Sequence, residues 1–341
     1  MRALFAGGGG PPHFRDIPEP TIDSPIEAIV EPIAVAICDL DIAYIANFLP
    51  MDSPYAVGHE FTARVLEVGD AVTSLVPGQI VTVPFQISCG TCNRCQQSRS
   101  DDCTSVPHLS TYGLEPFGGG AQWGAAAAAR VRVPFADAMC VALPDAVDPV
   151  AAASISDNVV DGYGALASHV QPGDEAIVFG SASIGLYAVG AAEALAIPCT
   201  YVDDDPARLA VAETLGAHVV DASPDGRSFG EYPVAVACIS SPEGLMSAVR
   251  STEPGGRCHS NGIHFLGAEL PWVDLYKRGI TFTTGRPRAR DEIPAVVALV
   301  ARGAFRIGEV CASVISFEDA PEALAGPLPH KTVLLMDDRA S

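Results

Sequence analysis

The chain is short of positive charge: 20 Lys and Arg stand against 41 Asp and Glu, for a formal net charge of -21. Phosphate-binding surfaces need clustered Lys and Arg, so neither nucleic acid nor an anionic membrane is an expected partner. Long apolar runs are missing too. The most hydrophobic stretch, Ala182 to Val202, is interrupted by Glu193 and Pro198 and reads as helix, turn and strand, not as a membrane span. The start, MRALFAGGGGPP, has too brief an apolar run for a secretory signal, which makes the cytoplasm the expected compartment. Internal repeats and low-complexity linkers are absent as well, so composition marks no domain boundary.

What is present suits two domains, since single cores rarely grow past about 250–300 residues and this chain has 341. In the first part, Ile26–Ile37, Phe61–Val68 and Gln79–Pro84 are short apolar runs punctuated by Gly58, Gly69 and Gly78, a β-rich pattern. From Asp174 strands and helices alternate. Strands are expected at Glu175–Gly180, Cys199–Val202, His218–Val220, Val234–Ile239, Gly256–Ser260 and Ile280–Thr283, with helices at Ile184–Ala196 and Pro206–Leu215. Strands joined by helical crossovers make a doubly wound parallel sheet, so the fold class is α/β. A helix at Ile293–Val300 and a strand at Lys331–Met336 close the chain.

The ten cysteines are unevenly spread. Cys89, Cys92, Cys95 and Cys103 stand at C-x2-C-x2-C-x7-C within CGTCNRCQQSRSDDC. In a chain with no secretory signal such crowding reads as metal binding sooner than as disulfides. Four thiolates on a tight loop close a tetrahedral zinc shell, leaving no open position, which is the mark of a structural site. An iron–sulfur ferredoxin run would have three residues before its last Cys, where this loop has seven.

Gly180-Ser181-Ala182-Ser183-Ile184-Gly185 follows an expected strand and opens an expected helix. It is a dinucleotide fingerprint with Ala182 at the middle glycine. Gly180 permits the tight turn, Ala182 lets pyrophosphate approach, and Gly185 lets helix pack on strand. Asp203 ends the second strand, where a carboxylate binds the adenosine ribose hydroxyls and repels a 2′-phosphate, favouring NAD. Asp204 could share that role.

Gly58-His59-Glu60 precedes a strand, and Cys38 lies upstream in Ile37-Cys38-Asp39-Leu40-Asp41. With the cysteine loop, GHEFTARVLEVGDAV, GGGAQW, VFGSASIGL and the closing KTVLL, these segments resemble the zinc alcohol dehydrogenases of the medium-chain dehydrogenase/reductase superfamily over almost the whole chain. VTVPFQISCGTC and SDNVVDGYGA look most like the formaldehyde-dehydrogenase branch, in which an Asp replaces a third Cys ligand.

The resemblance implies a β-rich GroES-like catalytic domain, residues 1–155 with 284–341, and a Rossmann NAD-binding domain, residues 156–283. It implies two Zn2+ per chain, with Cys38, His59 and Asp157 holding the catalytic one. Glu60 would be the carboxylate behind that metal and Asp41 the group orienting His59. Ile184 would pack behind the nicotinamide ring, Arg208 would reach the ribose, and Lys331 would lie near the pyrophosphate. The implied activity is hydride transfer between NAD and a primary or secondary alcohol or its aldehyde, with a small-molecule substrate and a homodimeric or homotetrameric assembly.

Three positions depart from the family. Leu40 and Ala43 stand where a hydroxyl and an imidazole usually relay the alcohol proton, and Asp161 replaces a Thr close to the nicotinamide. A water-linked carboxylate, Asp39 or Asp161, would have to carry the proton instead. These departures keep two other readings in play: a redox-inactive zinc-binding homologue, and a reductase of conjugated C=C or C=N bonds on the same scaffold.

Overall fold

The computed structural model describes residues 1–46, 48–49, 53–115, 123–180 and 182–336. Ser181 and all of GGGAQW except Trp123 lie outside the described residues. The chain forms two compact units, Met1–Val160 with Arg288–Ala301 and Cys311–Ser341, and Asp161–Pro287 with Arg302–Val310. The divisions fall a few residues beyond the expected boundaries, and Arg302–Val310 belongs to the second unit. Phe305 is the reason: its ring is buried against Gly190. Beside it, Arg306 pairs with Glu193 at 2.6 Å and donates to the Thr214 carbonyl at 2.7 Å.

The first unit is built around the strand Ala28–Ile37, buried along nearly its whole length. It pairs antiparallel with Glu60–Val68, Thr332–Leu335 and Val131–Val133. Val30, Val35, Phe61, Val65, Val81, Val83 and Met139 fill the core against it. The register decides which side chains can meet. Ala36 lies opposite Glu60 and Ile37 opposite Thr332, so Cys38, His59 and Lys331 all emerge at one end of the sheet.

The second unit holds six parallel strands: β1 (Ala176–Phe179), β2 (Cys199–Asp203), β3 (His218–Asp221), β4 (Tyr232–Ala237), β5 (Thr252–Ser260) and β6 (Thr281–Thr284). Their order is β3-β2-β1-β4-β5-β6, the doubly wound arrangement expected from the sequence. Eight of the thirteen residues of the helix Ala182–Ala194 are Ala, Gly or Ser, and it is buried along most of its length, which lets it lie close on the sheet. A helix at Asn158–Ala167 was not evident from the sequence. Its Gly162 has no room for a side chain, since a Cβ would come within 2.7 Å of the Ala188 amide nitrogen. Among the described residues no helix is long and apolar enough to cross a membrane.

Candidate active site and metal centres

The sulfur atoms of Cys89, Cys92, Cys95 and Cys103 all lie within 4.8 Å of one another. A tetrahedron of thiolates about 2.3 Å from a zinc ion has edges of about 3.8 Å, so the four sulfurs need little adjustment to close on one. The loop favours thiolates at Cys89 and Cys92, while burial raises the Cys95 and Cys103 thiols. Backbone N–H groups of Thr91 and Cys92 donate to the Cys89 sulfur at 3.4 and 3.3 Å, and that of Cys89 donates to Cys103 at 3.4 Å. The Cys95 amide, followed by Thr104, pulls Cys92 down to about 5. Burial pushes Cys89 up, but hydrogen bonds from Ser105, Thr91 and Cys92 outweigh it and leave the thiol at about 7. All ten cysteines are free thiols.

The second cluster gathers Cys38, His59, Glu60 and Asp157, whose donor atoms also fall within 4.8 Å of one another. Each side chain comes from the end of an element. Cys38 caps the short helix Asp39–Ile45, His59 stands just before the strand Glu60–Val68, and Asp157 follows the turn Ala151–Ser156. Gly58 makes the approach to His59 possible. Its φ is +104°, and a Cβ there would sit 2.7 Å from the Ala127 nitrogen.

Inside the cluster, His59 Nε2 is 3.3 Å and Cys38 Sγ 3.9 Å from the same Asp157 oxygen, Oδ2. On the other side of the ring, Nδ1 lies 3.5 Å from Asp41 Oδ2, which also accepts the Cys38 amide at 3.2 Å. His59 and Asp41 are fully buried. Neither imidazole nitrogen has a partner in hydrogen-bond geometry. An orphaned buried nitrogen aimed at a thiol and a carboxylate is the donor arrangement of a cation site. The charge balance agrees. Burial pulls His59 down, yet Asp41, Asp157 and Glu60 overcome it and raise the ring to about 9. Burial pushes Glu60 up to about 7 despite Lys331, and it raises the Cys38 thiol as well. A divalent cation among these groups would relieve all three. The residues fit zinc, a borderline ion that takes S, N and O donors.

Glu60 faces Lys331. The Lys331 ammonium, 1% exposed, donates to both Glu60 oxygens at 3.0 Å and to Asn158 Oδ1 at 2.8 Å. Lys331 is expected near the pyrophosphate, and the partners it shows here are Glu60 and Asn158. Its strand pairs beside Ile37, which brings the ammonium against the buried carboxylate behind the metal ligands.

In the second unit the described residues of the expected dinucleotide turn lie between β1 and the helix that follows it. β1 runs into Gly180, and Ala182 opens the helix Ala182–Ala194 with φ +54°, a left-handed value unusual for a residue with a side chain. Ile184 is half-buried on the first helical turn. A side chain on Gly180 would run into the ring of Tyr201, and Gly185 would meet Gly180 Cα at 3.0 Å. The side chain of Asp203, 1% exposed, already accepts four hydrogen bonds, from three residues. Arg208 Nε and Nη2 each donate at 2.7 Å, the Tyr201 hydroxyl at 2.7 Å and the Asp205 amide at 3.0 Å. Asp204 stands on the exposed side.

Asp161 is 9% exposed and accepts Asn261 Nδ2 at 2.6 Å. Leu40 and Ala43 lie in the helix Asp39–Ile45, and neither has an exchangeable side-chain proton. Asn158, Tyr201 and Asn261 are the contributors that sequence reasoning missed. An available clue was Asp205-Pro206, a helix-capping pair that fixes where Arg208 points: Asp205 accepts the amides of Ala207 and Arg208 at 2.8 and 3.1 Å.

Residues 24–145 match the alcohol dehydrogenase GroES-like domain. A medium-chain reductase/dehydrogenase of Acremonium, ucsI, is 33% identical over 235 residues, covering 65% of this chain and 76% of that protein. The chain belongs to the zinc-containing alcohol dehydrogenases of the medium-chain dehydrogenase/reductase superfamily. A glutathione-independent formaldehyde dehydrogenase of Pseudomonas aeruginosa is 30% identical over 239 residues, 66% of this chain and 59% of that enzyme. The solved alcohol dehydrogenase TADH from Thermus sp. ATN1 superposes with a TM-score of 0.88 at 27% identity, covering 99% of this chain and 100% of its own. In family terms, the first unit holds both candidate metal centres and the second holds the dinucleotide turn.

Proposed function

We propose that the chain is a zinc- and NAD-dependent dehydrogenase that interconverts a primary or secondary alcohol and its carbonyl compound. The observation that carries this reading is the convergence of Cys38, His59 and Asp157 while Glu60 turns both oxygens to Lys331. Three ligands with a fourth position open is the pattern of catalytic zinc. Bound there, zinc supplies Lewis acidity that lowers the pKa of an alcohol hydroxyl and polarises a carbonyl. The chain's own residues arrange the rest. Asp41, 3.5 Å from Nδ1 of His59, would orient the ring and leave Nε2 to the metal side. Gly180, Ala182 and Gly185 with the following helix N-terminus would take the pyrophosphate, Ile184 would back the nicotinamide ring, and Asp203 with Arg208 would face the adenosine ribose. The cysteine loop is proposed as a second, structural zinc site, giving two ions per chain.

We assign the catalytic role to the first unit and NAD binding to the second. The proposed assembly is a homo-oligomer. Support comes from the second unit, where β6 ends the sheet and Leu266, Trp272, Val273 and Tyr276 are 95%, 69%, 64% and 87% exposed. The cytoplasm is the proposed compartment, which suits ten free thiols. A reductase of conjugated C=C or C=N bonds is the second reading, favoured by Leu40 and Ala43, because such a reaction does not need the usual alcohol proton relay.

The test is a panel of alcohols and aldehydes with NAD and NADP, read by absorbance of the reduced cofactor, beside elemental analysis for zinc. Alcohol turnover with NAD and close to two zinc ions per chain are expected. Reduction of an enone at its C=C bond alone selects the second reading. Fully loaded protein with one zinc ion or none overturns the metal assignment.

A further inference from the structure

Nothing in the sequence pattern singles out Asn158, yet its side chain touches two of the metal ligands, Cys38 and Asp157, and the buried Lys331. Asn158 is 1% exposed at the start of the helix Asn158–Ala167. Its amide nitrogen donates to Cys38 Sγ at 3.4 Å and to Asp157 Oδ2 at 3.2 Å. Its carbonyl oxygen accepts the Lys331 ammonium at 2.8 Å. Chemistry fixes the orientation of the amide. Turned over, it would set an oxygen against a thiolate and a carboxylate, and its N–H groups against an ammonium. We propose that Asn158 is a positioning residue of the catalytic metal centre, an amide that links the buried Lys331 charge to two of the three metal ligands.

This inference rests on the zinc reading above. A hydrogen bond to a thiolate stabilises the sulfur lone pair and weakens its donation to a metal, leaving the metal a stronger Lewis acid. Holding Asp157 Oδ2 from the same amide fixes that ligand's direction. Lys331 is itself bound on its other side by Glu60, so the charge behind the amide is balanced and cannot turn to solvent. In other metal sites the loss of a group that hydrogen-bonds a ligand costs roughly 10–100-fold in metal affinity or activity.

Cobalt(II) loading tests this without relying on turnover. The sulfur-to-cobalt charge-transfer absorption from Cys38 is taken as the part of the spectrum lost in Cys38→Ser, which separates it from the cysteine loop. Asn158→Leu removes both donors at nearly constant volume. It should move that absorption to longer wavelength through Cys38 and, because Asp157 is no longer held, speed release of one cobalt ion to a chelator by roughly 10–100-fold. Asn158→Asp keeps an acceptor for Lys331 but turns an oxygen towards Cys38, and should move the band the same way. It carries the test alone if the Leu variant does not fold. Folded variants whose band and release rate match the parent overturn the proposal. A parent protein without any Cys38-dependent band overturns the zinc reading itself, and the proposal with it.

Discussion

Asp203→Ser should shift cofactor preference from NAD towards NADP, by an amount that the surroundings of Asp203 bound. The parent carboxylate is not a bare charge: Arg208 grips both oxygens at 2.7 Å, and Arg208 is the more exposed partner, at 21% against 1% for their side chains. A 2′-phosphate arriving beside this pair meets repulsion and attraction together, so the parent preference for NAD should be moderate. Serine removes one negative charge and leaves the guanidinium. At about 5 Å and an effective dielectric of about 20, one unit charge is worth about 3 kcal/mol, or roughly two orders of magnitude in kcat/KM. Salt screens part of that through the partly exposed Arg208. The assay is kcat/KM for both cofactors in parent and variant at two ionic strengths. A fall of about 100-fold in the NAD/NADP ratio, smaller at high salt, is expected. An unchanged ratio would show that Asp203 only anchors Arg208 and Tyr201. Parent enzyme that binds NADP more tightly than NAD would refute the assignment outright.

The two metal centres should separate by mutation: Cys92→Ser should lose about one zinc per chain and melt lower, whereas His59→Ala should abolish turnover while keeping the fold. Zinc analysis beside circular dichroism reads both. Ala182→Gly relieves the left-handed backbone at φ +54° and should stabilise the protein by about 0.5–1 kcal/mol, and a lowered Tm would count against strain there. Leu40→Ser should raise alcohol oxidation most near neutral pH if the missing relay limits the rate, and Asp161→Thr should weaken NAD relative to NADH if that carboxylate acts on the ring. Unchanged rates and unchanged cofactor affinities would dismiss both roles. Asp137 makes an acid-dependent contribution of its own. Burial pushes its carboxyl up, but hydrogen bonds from Ser74 and Thr73 together outweigh it and hold it at about 2. A folded-state value below the unfolded one stabilises at higher pH and fades as pH falls through the folded value. The Tm difference between parent and Asp137→Asn should therefore be full at neutral pH and narrow between about pH 4 and pH 2. A constant difference would show that the hydrogen bonds do not depend on the charge.

The parts legible from the sequence are those whose geometry is local. C-x2-C-x2-C-x7-C is one loop, so spacing alone brings the four sulfurs together, and the strand, turn and helix around Gly180 and Gly185 form one continuous segment. The catalytic cluster is different, because Cys38, His59 and Asp157 meet only through pairing of Ala28–Ile37 with Glu60–Val68 and the turn Ala151–Ser156 beside them. No pattern within the chain encodes that register, and the expectation came from resemblance. Lys331 shows the limit of that route. It lies 271 residues from Glu60, and only the pairing of Ile37 with Thr332 shows that it touches that carboxylate. The helix Asn158–Ala167 was unreadable for a related reason: Val159, Val160, Gly162 and Gly164 all weaken helix propensity, and close packing of Gly162 on Ala188 overrides them. Tyr201 is the sharpest case. The two-residue period of a strand puts it on the face of Asp203, where a large apolar ring would ordinarily be core filling. Only the contact shows that its hydroxyl completes the shell of that carboxylate, so Asp203 is already oriented and paired with a cation.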